Sequence, residues 1–251
     1  HLMNIPSRGL LVAAAAALLT LAAGAEAPPP ALSTAQVASI VASPDRSEAD
    51  RTNDRRRKPE QMLAFIGVRP GMIALDLASG GGYTSELLAR ATGPTGRVYA
   101  QVSSPPRPTL AARIANPKIG NLVAATRPFE DPIPPEVANQ GLDLVTLMFN
   151  YHDLGHLGVD RERMNRAVFA ALKPGAAYVI ADHAGRPGTG VSESGTLHRI
   201  DEAFLRQEVE RAGFRLAAQG QFLRNPADPR DRETPDPPMP KDEFVFKFVK
   251  P

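Results

Sequence analysis

The chain has no cysteine among its 251 residues, which removes any disulfide and any lipid-anchored thiol. Its core alone must therefore hold it together, even in an oxidising compartment. Excess charge is nearly absent too. A formal net charge of +2 is too small to argue for nucleic acid or an acidic membrane as a partner. No internal repeat is present, which argues against solenoids and propellers. Nor is there an apolar run of the roughly 20 residues that a membrane span needs; the run from Gly9 to Gly24 is short of it. Proline, in contrast, is abundant at 25 residues, many of them near 28–30, 105–108 and 226–240. Those clusters mark loops and linkers in a chain long enough for one α/β domain.

His1-Leu2 before Met3 is set aside as an appended dipeptide. Residues 3–27 read as a secretory signal peptide. Arg8 gives the positive start, Gly9 to Gly24 the apolar run and Ala25-Glu26-Ala27 the small-x-small cleavage site. No twin arginine is present, so the expectation is export by the general route, to the periplasm, with no stable membrane span after cleavage. An uncleaved anchor is the alternative. Residues 28–58 form a linker and an N-terminal helical extension, with a short helix over Thr34 to Val41. The segment 44–58 interleaves Arg46, Asp50, Arg51, Asp54, Arg55, Arg56, Arg57 and Lys58, and such mixing reads as a solvated helix laid over the domain. In a second reading, Arg51 or Arg57 closes over a ligand cleft.

Everything after residue 59 is organised around Met72-Ile73-Ala74-Leu75-Asp76-Leu77-Ala78-Ser79-Gly80-Gly81-Gly82-Tyr83-Thr84. An apolar run ends in an acid, glycines follow, and an amphipathic segment begins. That is a strand, a tight turn and a helix start, the place where an open α/β sheet binds its ligand. A dinucleotide fold would aim this helix at a pyrophosphate. Asp76 would repel a pyrophosphate and suits a phosphate-free ligand with a positive charge. Ser85, where a third fingerprint glycine would lie, also disfavours a nicotinamide enzyme.

Further strands are expected over 97–101, 121–125, 142–149 and 177–181, the last entered by a Pro174-Gly175 turn. Helices are expected over 109–115, 161–172 and 201–212, with Asp201 as a cap. Residues 214–223 and 244–249 read as two final strands with no helix between them, a hairpin-like addition to a parallel sheet.

Asp76-x-Ala78-x-Gly80-x-Gly82 resembles the first motif of class I S-adenosylmethionine-dependent methyltransferases, and Leu172-Lys173-Pro174-Gly175 before a strand resembles a turn of the same family. More narrowly, Gly80-Gly81-Gly82-Tyr83, Asn150-Tyr151-His152-Asp153, Asp182-His183, Leu197-His198-Arg199 and Phe244-Val245-Phe246-Lys247-Phe248 resemble a group of exported predicted methyltransferases. The resemblance implies a methyltransferase domain over 59–251 with a Rossmann-like, doubly wound seven-stranded sheet whose last strand is antiparallel. It implies S-adenosylmethionine as cofactor, with Asp76, Ala78, Gly80, Gly82, Tyr83 and Gln101 as its binding residues. Two positions depart from the pattern. Ala78 replaces a glycine, which a methyl group allows if the backbone keeps ordinary dihedrals. Gln101 stands where an acid usually grips the ribose hydroxyls.

The catalytic candidates are His152, Asp153, Asp182, His183, His198 and Arg199. His152 or His183 would act as base towards a hydroxyl acceptor, Asp153 and Asp182 would orient an imidazole, and Arg199 would hold an anionic substrate group. His156 and Asp160 read as loop residues. No metal ligand is assigned, and a divalent metal is the competing use of the cluster. The expected function is methyl transfer to a small-molecule substrate or an envelope component, with the oligomeric state left open. The alternative is an exported, non-catalytic ligand-binding protein on the same fold, since S-adenosylmethionine should not cross a bilayer unaided.

Overall fold

The computed structural model describes residues 27–251, so the expected signal at 3–27 lies, but for its last residue, outside the described residues. Among the described residues, no helix is long and apolar enough to cross a membrane.

Three helices precede the sheet: α1 (Thr34–Val41), α2 (Glu48–Arg57) and α3 (Pro59–Ile66). Their boundaries follow from local chemistry. Ser33 and Gln36 close a capping box on α1, and Ser47 accepts from the Asp50 amide to cap α2. Lys58 turns left-handed between α2 and α3, Pro59 supplies the preset first residue of α3, and Gly67 ends it.

The strands are β1 (Ile73–Leu77), β2 (Arg97–Val102), β3 (Leu122–Thr126), β4 (Leu142–Met148), β5 (Leu172–His183), β6 (Arg215–Gly220) and β7 (Glu243–Val249). They form one seven-stranded sheet in the order β3-β2-β1-β4-β5-β7-β6. β1 to β5 are parallel, and β7 runs antiparallel between β5 and β6. The helices between strands are α4 (Tyr83–Thr92), α5 (Pro108–Ile114), α6 (Asp153–His156), α7 (Arg161–Ala171), α8 (Ser194–Leu197) and α9 (Glu202–Arg211).

Side-chain alternation explains why both faces are covered. In β1, Leu75 and Leu77 enter the core that holds Met164, Val168 and Leu205, from the α7 and α9 side. Ala74 enters the opposite core, with Leu63, Leu88 and Leu110 from α3, α4 and α5. β4 repeats the pattern, with Val145 and Leu147 on the first side and Leu144 and Met148 on the second. Asp76 and Thr146 are register partners of β1 and β4, so both project towards α4.

One element departs from expectation. Pro174-Gly175 is not a turn before the strand but a bulge inside β5, which pairs with β4 at Leu172, slips, and pairs again from Ala177. Gly175, at φ 78°, permits the slip without ending the strand.

Candidate active site

The chain winds outward through β1, β2 and β3 and then returns to the other flank of β1 as β4, so the switch point lies between β1 and β4. Two cavities meet there. One, of about 350 Å³, is lined by Asp76, Ser79, Gly81, Tyr83, Arg57, Asn53 and other residues of α2 and the glycine turn. The other, of about 260 Å³, is lined by Gln101, Ser103, Ser104, Phe129, Asp153 and Leu157. Ala78, Gly80 and Asn150 belong to both. The Asn150 side-chain amide donates to the Ala78 carbonyl at 2.7 Å, so it bridges the turn where the cavities join.

Asp76 is buried, and both its oxygens are occupied. Ser85 of α4 donates to one at 2.6 Å, and Thr146 of β4 donates to the other at 2.7 Å. Burial pushes its carboxyl up to about 6, against the pull of these hydroxyls and of the Arg57 charge. Thr146, the one polar residue in the interior of an otherwise apolar Leu144–Met148 run, was the available sequence signal for this clasp.

The glycine turn is shaped by conformation at two positions. Gly82 precedes α4 at φ 79°, and a Cβ there would stand 2.7 Å from the Leu110 side chain. Gly80 also has a positive φ but faces open space. Ala78 does not keep the ordinary dihedrals expected of it; its φ is 53°. The left-handed form costs a residue with a Cβ about 1–2 kcal/mol. Hydrogen bonds on both sides hold it there, with the Ala78 amide donating to Gln101 Oε1 at 2.8 Å and its carbonyl accepting from Asn150.

Gln101, expected to hold the ribose, directs one acceptor and one donor site to the protein. Its oxygen takes the Ala78 amide and its nitrogen donates to the Arg127 carbonyl at 2.7 Å, so the buried amide braces the turn. Tyr83 is likewise engaged elsewhere, donating to Asp54 of α2 at 2.6 Å.

The extension lies over the domain with one side solvated, as expected, and the other tied down by buried ion pairs. Arg46 is buried against Asp54 through two bonds of 2.8 Å, and Asp50 is buried against Arg113 of α5. Arg113 Nε in turn donates to the Gly81 carbonyl at 2.8 Å. Contacts spanning 63 and 32 positions of sequence thus tie α2 over the glycine turn. Arg51 points away, to the Ser43 carbonyl. Arg57 faces the cavity beside Asp76, its guanidinium 4.0 Å from the Phe149 ring centroid. Burial, helped by the neighbouring Arg56 charge, lowers it to about 10. Among the described residues, Arg57 has no ion-pair partner, and its Nε is buried without a hydrogen bond. The Ser79 hydroxyl is buried without one too.

The histidines gather beyond Asn150. Asp182, fully buried at the end of β5, accepts from His152 Nδ1 at 2.6 Å and from the His152 amide at 2.7 Å. His152 Nε2 lies 3.1 Å from Asp153, and His198 Nδ1 lies 3.0 Å from the same carboxylate oxygen. Burial works against charging His152, but Asp182 and Asp153 outweigh it and raise the imidazole to about 9. Asp153 is held down at about 2, chiefly by His152 against the cost of burial. His152 is therefore a charged strut with both nitrogens engaged, not the free base expected of it. His183 is no better placed. Burial lowers it to about 3, its ring packs on Phe149 and His152, and Nδ1 lies 2.8 Å from Glu243 off the axis of a hydrogen bond. His198 is half-buried, and its Nε2 makes no hydrogen bond among the described residues.

Arg199 does not join the group. It is fully buried, bonds Asp228 at 2.7 Å and donates to the carbonyls of Ala184 and Arg232, so it anchors the proline-rich loop instead of a substrate. His156 bonds Ser194 at 2.9 Å, and Asp160 caps α7.

The His152 charge makes a pH-dependent contribution to stability. Its folded-state value of about 9 stands above the ordinary 6.5, so the contribution is complete below the lower value and is lost as pH rises through the upper one. Urea midpoints of the wild type and of His152→Gln should therefore converge between those two values. A gap that stays constant with pH would assign the residue a purely steric role.

Neither a protein-family model nor a curated protein sequence matches the chain. Solved structures do. A SAM-dependent methyltransferase from Aquifex aeolicus superposes with a TM-score of 0.59 at 17% identity, covering 88% of this chain and all (100%) of that one. A Haloferax volcanii protein complexed with the Trm112 methyltransferase activator gives 0.58 at 20% identity, over 88% of this chain and 99% of that one. A TehB-like SAM-dependent methyltransferase from Corynebacterium glutamicum gives 0.51 at 16% identity, over 85% and 93%. At these identities the likeness establishes the fold, a Rossmann-like α/β sheet with its last strand antiparallel.

Proposed function

We propose that the chain is an S-adenosylmethionine-dependent methyltransferase whose cofactor lies across the two joined cavities. The observation that carries this reading is the first cavity's unmatched polarity. Arg57, without an ion-pair partner and with its Nε unbonded, and the unbonded Ser79 hydroxyl line it beside the buried Asp76 carboxylate. Orphaned buried polar groups are costly and call for a ligand that satisfies them. A zwitterionic amino-acid group does so, and Arg57 would take its carboxylate while the Asp76 side supports its positive end. The second cavity, with Ser103 and Ser104 on one wall and Phe129 on another, suits a nucleoside's hydroxyls and base. The SAM-dependent proteins of the same fold support the same choice.

When bound, the cofactor supplies an electrophilic methyl group on a sulfonium. The protein's own residues position what reacts with it. Asn150 fixes the junction, and Asp153 borders the second cavity and orients His198. His198 Nε2 is then available to take the proton of a small-molecule acceptor. Leu157, the one large apolar side chain exposed among the described residues, offers that acceptor an apolar contact at the mouth.

A second reading, ligand retention without transfer, draws on Gln101. Its amide bonds the backbone through both oxygen and nitrogen, and it offers a ribose no charged group at that position. Both readings require binding, and only the first requires turnover. Arg57→Ala should weaken S-adenosylmethionine binding about 10-fold or more in a calorimetric titration, the order of a charge-assisted hydrogen bond. Unchanged affinity would remove the residue from the site.

A further inference from the structure

Beyond methyl transfer, the geometry points to a mononuclear metal site made by His152 Nε2, Asp153 and His198 Nδ1. We propose that it takes a divalent first-row transition ion such as Zn²⁺ or Fe²⁺. This inference stands whether or not the neighbouring cavities hold S-adenosylmethionine.

The three ligand atoms lie within 4.8 Å of one another. His152 Nε2 is 3.1 Å and His198 Nδ1 is 3.0 Å from the same Asp153 oxygen. Two ligands each about 2.1 Å from a metal at a tetrahedral angle stand roughly 3.4 Å apart. The cluster is thus already near the spacing of a coordination sphere. Two imidazoles with one carboxylate favour a borderline transition ion over Mg²⁺ or Ca²⁺, which prefer oxygen throughout.

The surroundings match that use. Asp182 accepts from His152 Nδ1 at 2.6 Å, which fixes the ring and directs Nε2 towards Asp153. This carboxylate–histidine pairing is the outer-shell arrangement that orients metal-bound imidazoles. Close packing of α6 on α8 brings in the third ligand. A Cβ on Gly155 would clash with Val191, and one on Gly195 would stand 3.1 Å from His156. His198 itself is held at φ 50°, an uncommon conformation for a side chain that is not glycine. Strain of this kind persists where the surroundings over-determine a functional geometry.

His156 borders the cluster, 3.9 Å from Asp153, but is tied to Ser194. Coordination positions not filled by protein would open through Asp153 onto the second cavity. Binding would displace the proton at His152 Nε2 to solvent and shift the His198 proton from Nδ1 to Nε2, so that a Lewis acid would replace His198 as the activator of any acceptor there.

Titration of the metal-free protein with Co²⁺, a spectroscopic stand-in for Zn²⁺, tests the proposal. The expected result is about one equivalent bound with visible d–d absorption, and no competition from Mg²⁺. His198→Gly keeps the left-handed backbone and removes a ligand, and it should weaken binding more than 10-fold without lowering thermal stability. Asp182→Asn should weaken it about 10–100-fold. Absence of the absorption band, or Co²⁺ affinity unchanged in His198→Gly, would overturn the assignment. Neither readout involves methyl transfer, so failure here leaves the cofactor reading untouched.

Discussion

Arg199→Ala should lower the unfolding free energy by about 3–5 kcal/mol, as expected when one partner of a fully buried ion pair is removed. Both side chains of the Arg199–Asp228 pair are wholly inaccessible, and Asp228 also accepts from the amides of Arg230 and Asp242. The truncation would strand a carboxylate at the root of the 224–242 loop. It would also free the carbonyls of Ala184 and Arg232. Chemical denaturation should show the loss, with Arg199→Lys intermediate because it keeps the charge but not the fork. A variant as stable as the wild type, yet impaired in substrate binding, would return Arg199 to the substrate role that sequence reasoning gave it.

Gly82→Ala should cost about 2–4 kcal/mol, combining the left-handed penalty with overpacking against Leu110. The added Cβ meets Leu110 at 2.7 Å, and Leu110 is the fully buried residue of α5. Relief would have to come from α5, which also carries Arg113 and its bond to the Gly81 carbonyl, so ligand affinity should fall with stability. Gly80→Ala is the control. It shares a positive φ but faces open space, so only about 1 kcal/mol of conformational cost is expected. Equal costs at the two positions would mean that the close approach of α5 contributes nothing.

The sheet and the glycine turn were legible because their signals are local. Apolar alternation, a glycine cluster and a capping residue act within a few positions of one another. Even the antiparallel last strand follows from two strand-like segments with no helix between them. What was not legible depends on partners distant in sequence. The charged run 44–58 has the composition of a solvated helix, and only the fold brings Asp50 to Arg113 and Tyr83 to Asp54. Gln101 has the donor and acceptor of a sugar ligand, but the loop after β3 and the Ala78 amide take both.

The four histidine rings lie next to one another in the fold, and their protonation depends on surroundings that the sequence does not display. Two adjacent strand ends give opposite outcomes. His152 is raised by two carboxylates, whereas His183 is lowered by burial next to Phe149. Arg199 and His198 are neighbours in sequence and diverge completely, one into the core and the other over Asp153.

Calorimetric titration of the protein with S-adenosylmethionine and with its demethylated product tests the central claim most directly. The account predicts one site per chain, binding of both compounds, and weakened binding of both in Arg57→Ala, because the amino-acid group they share meets that side chain. No heat and no thermal shift with either compound would contradict it.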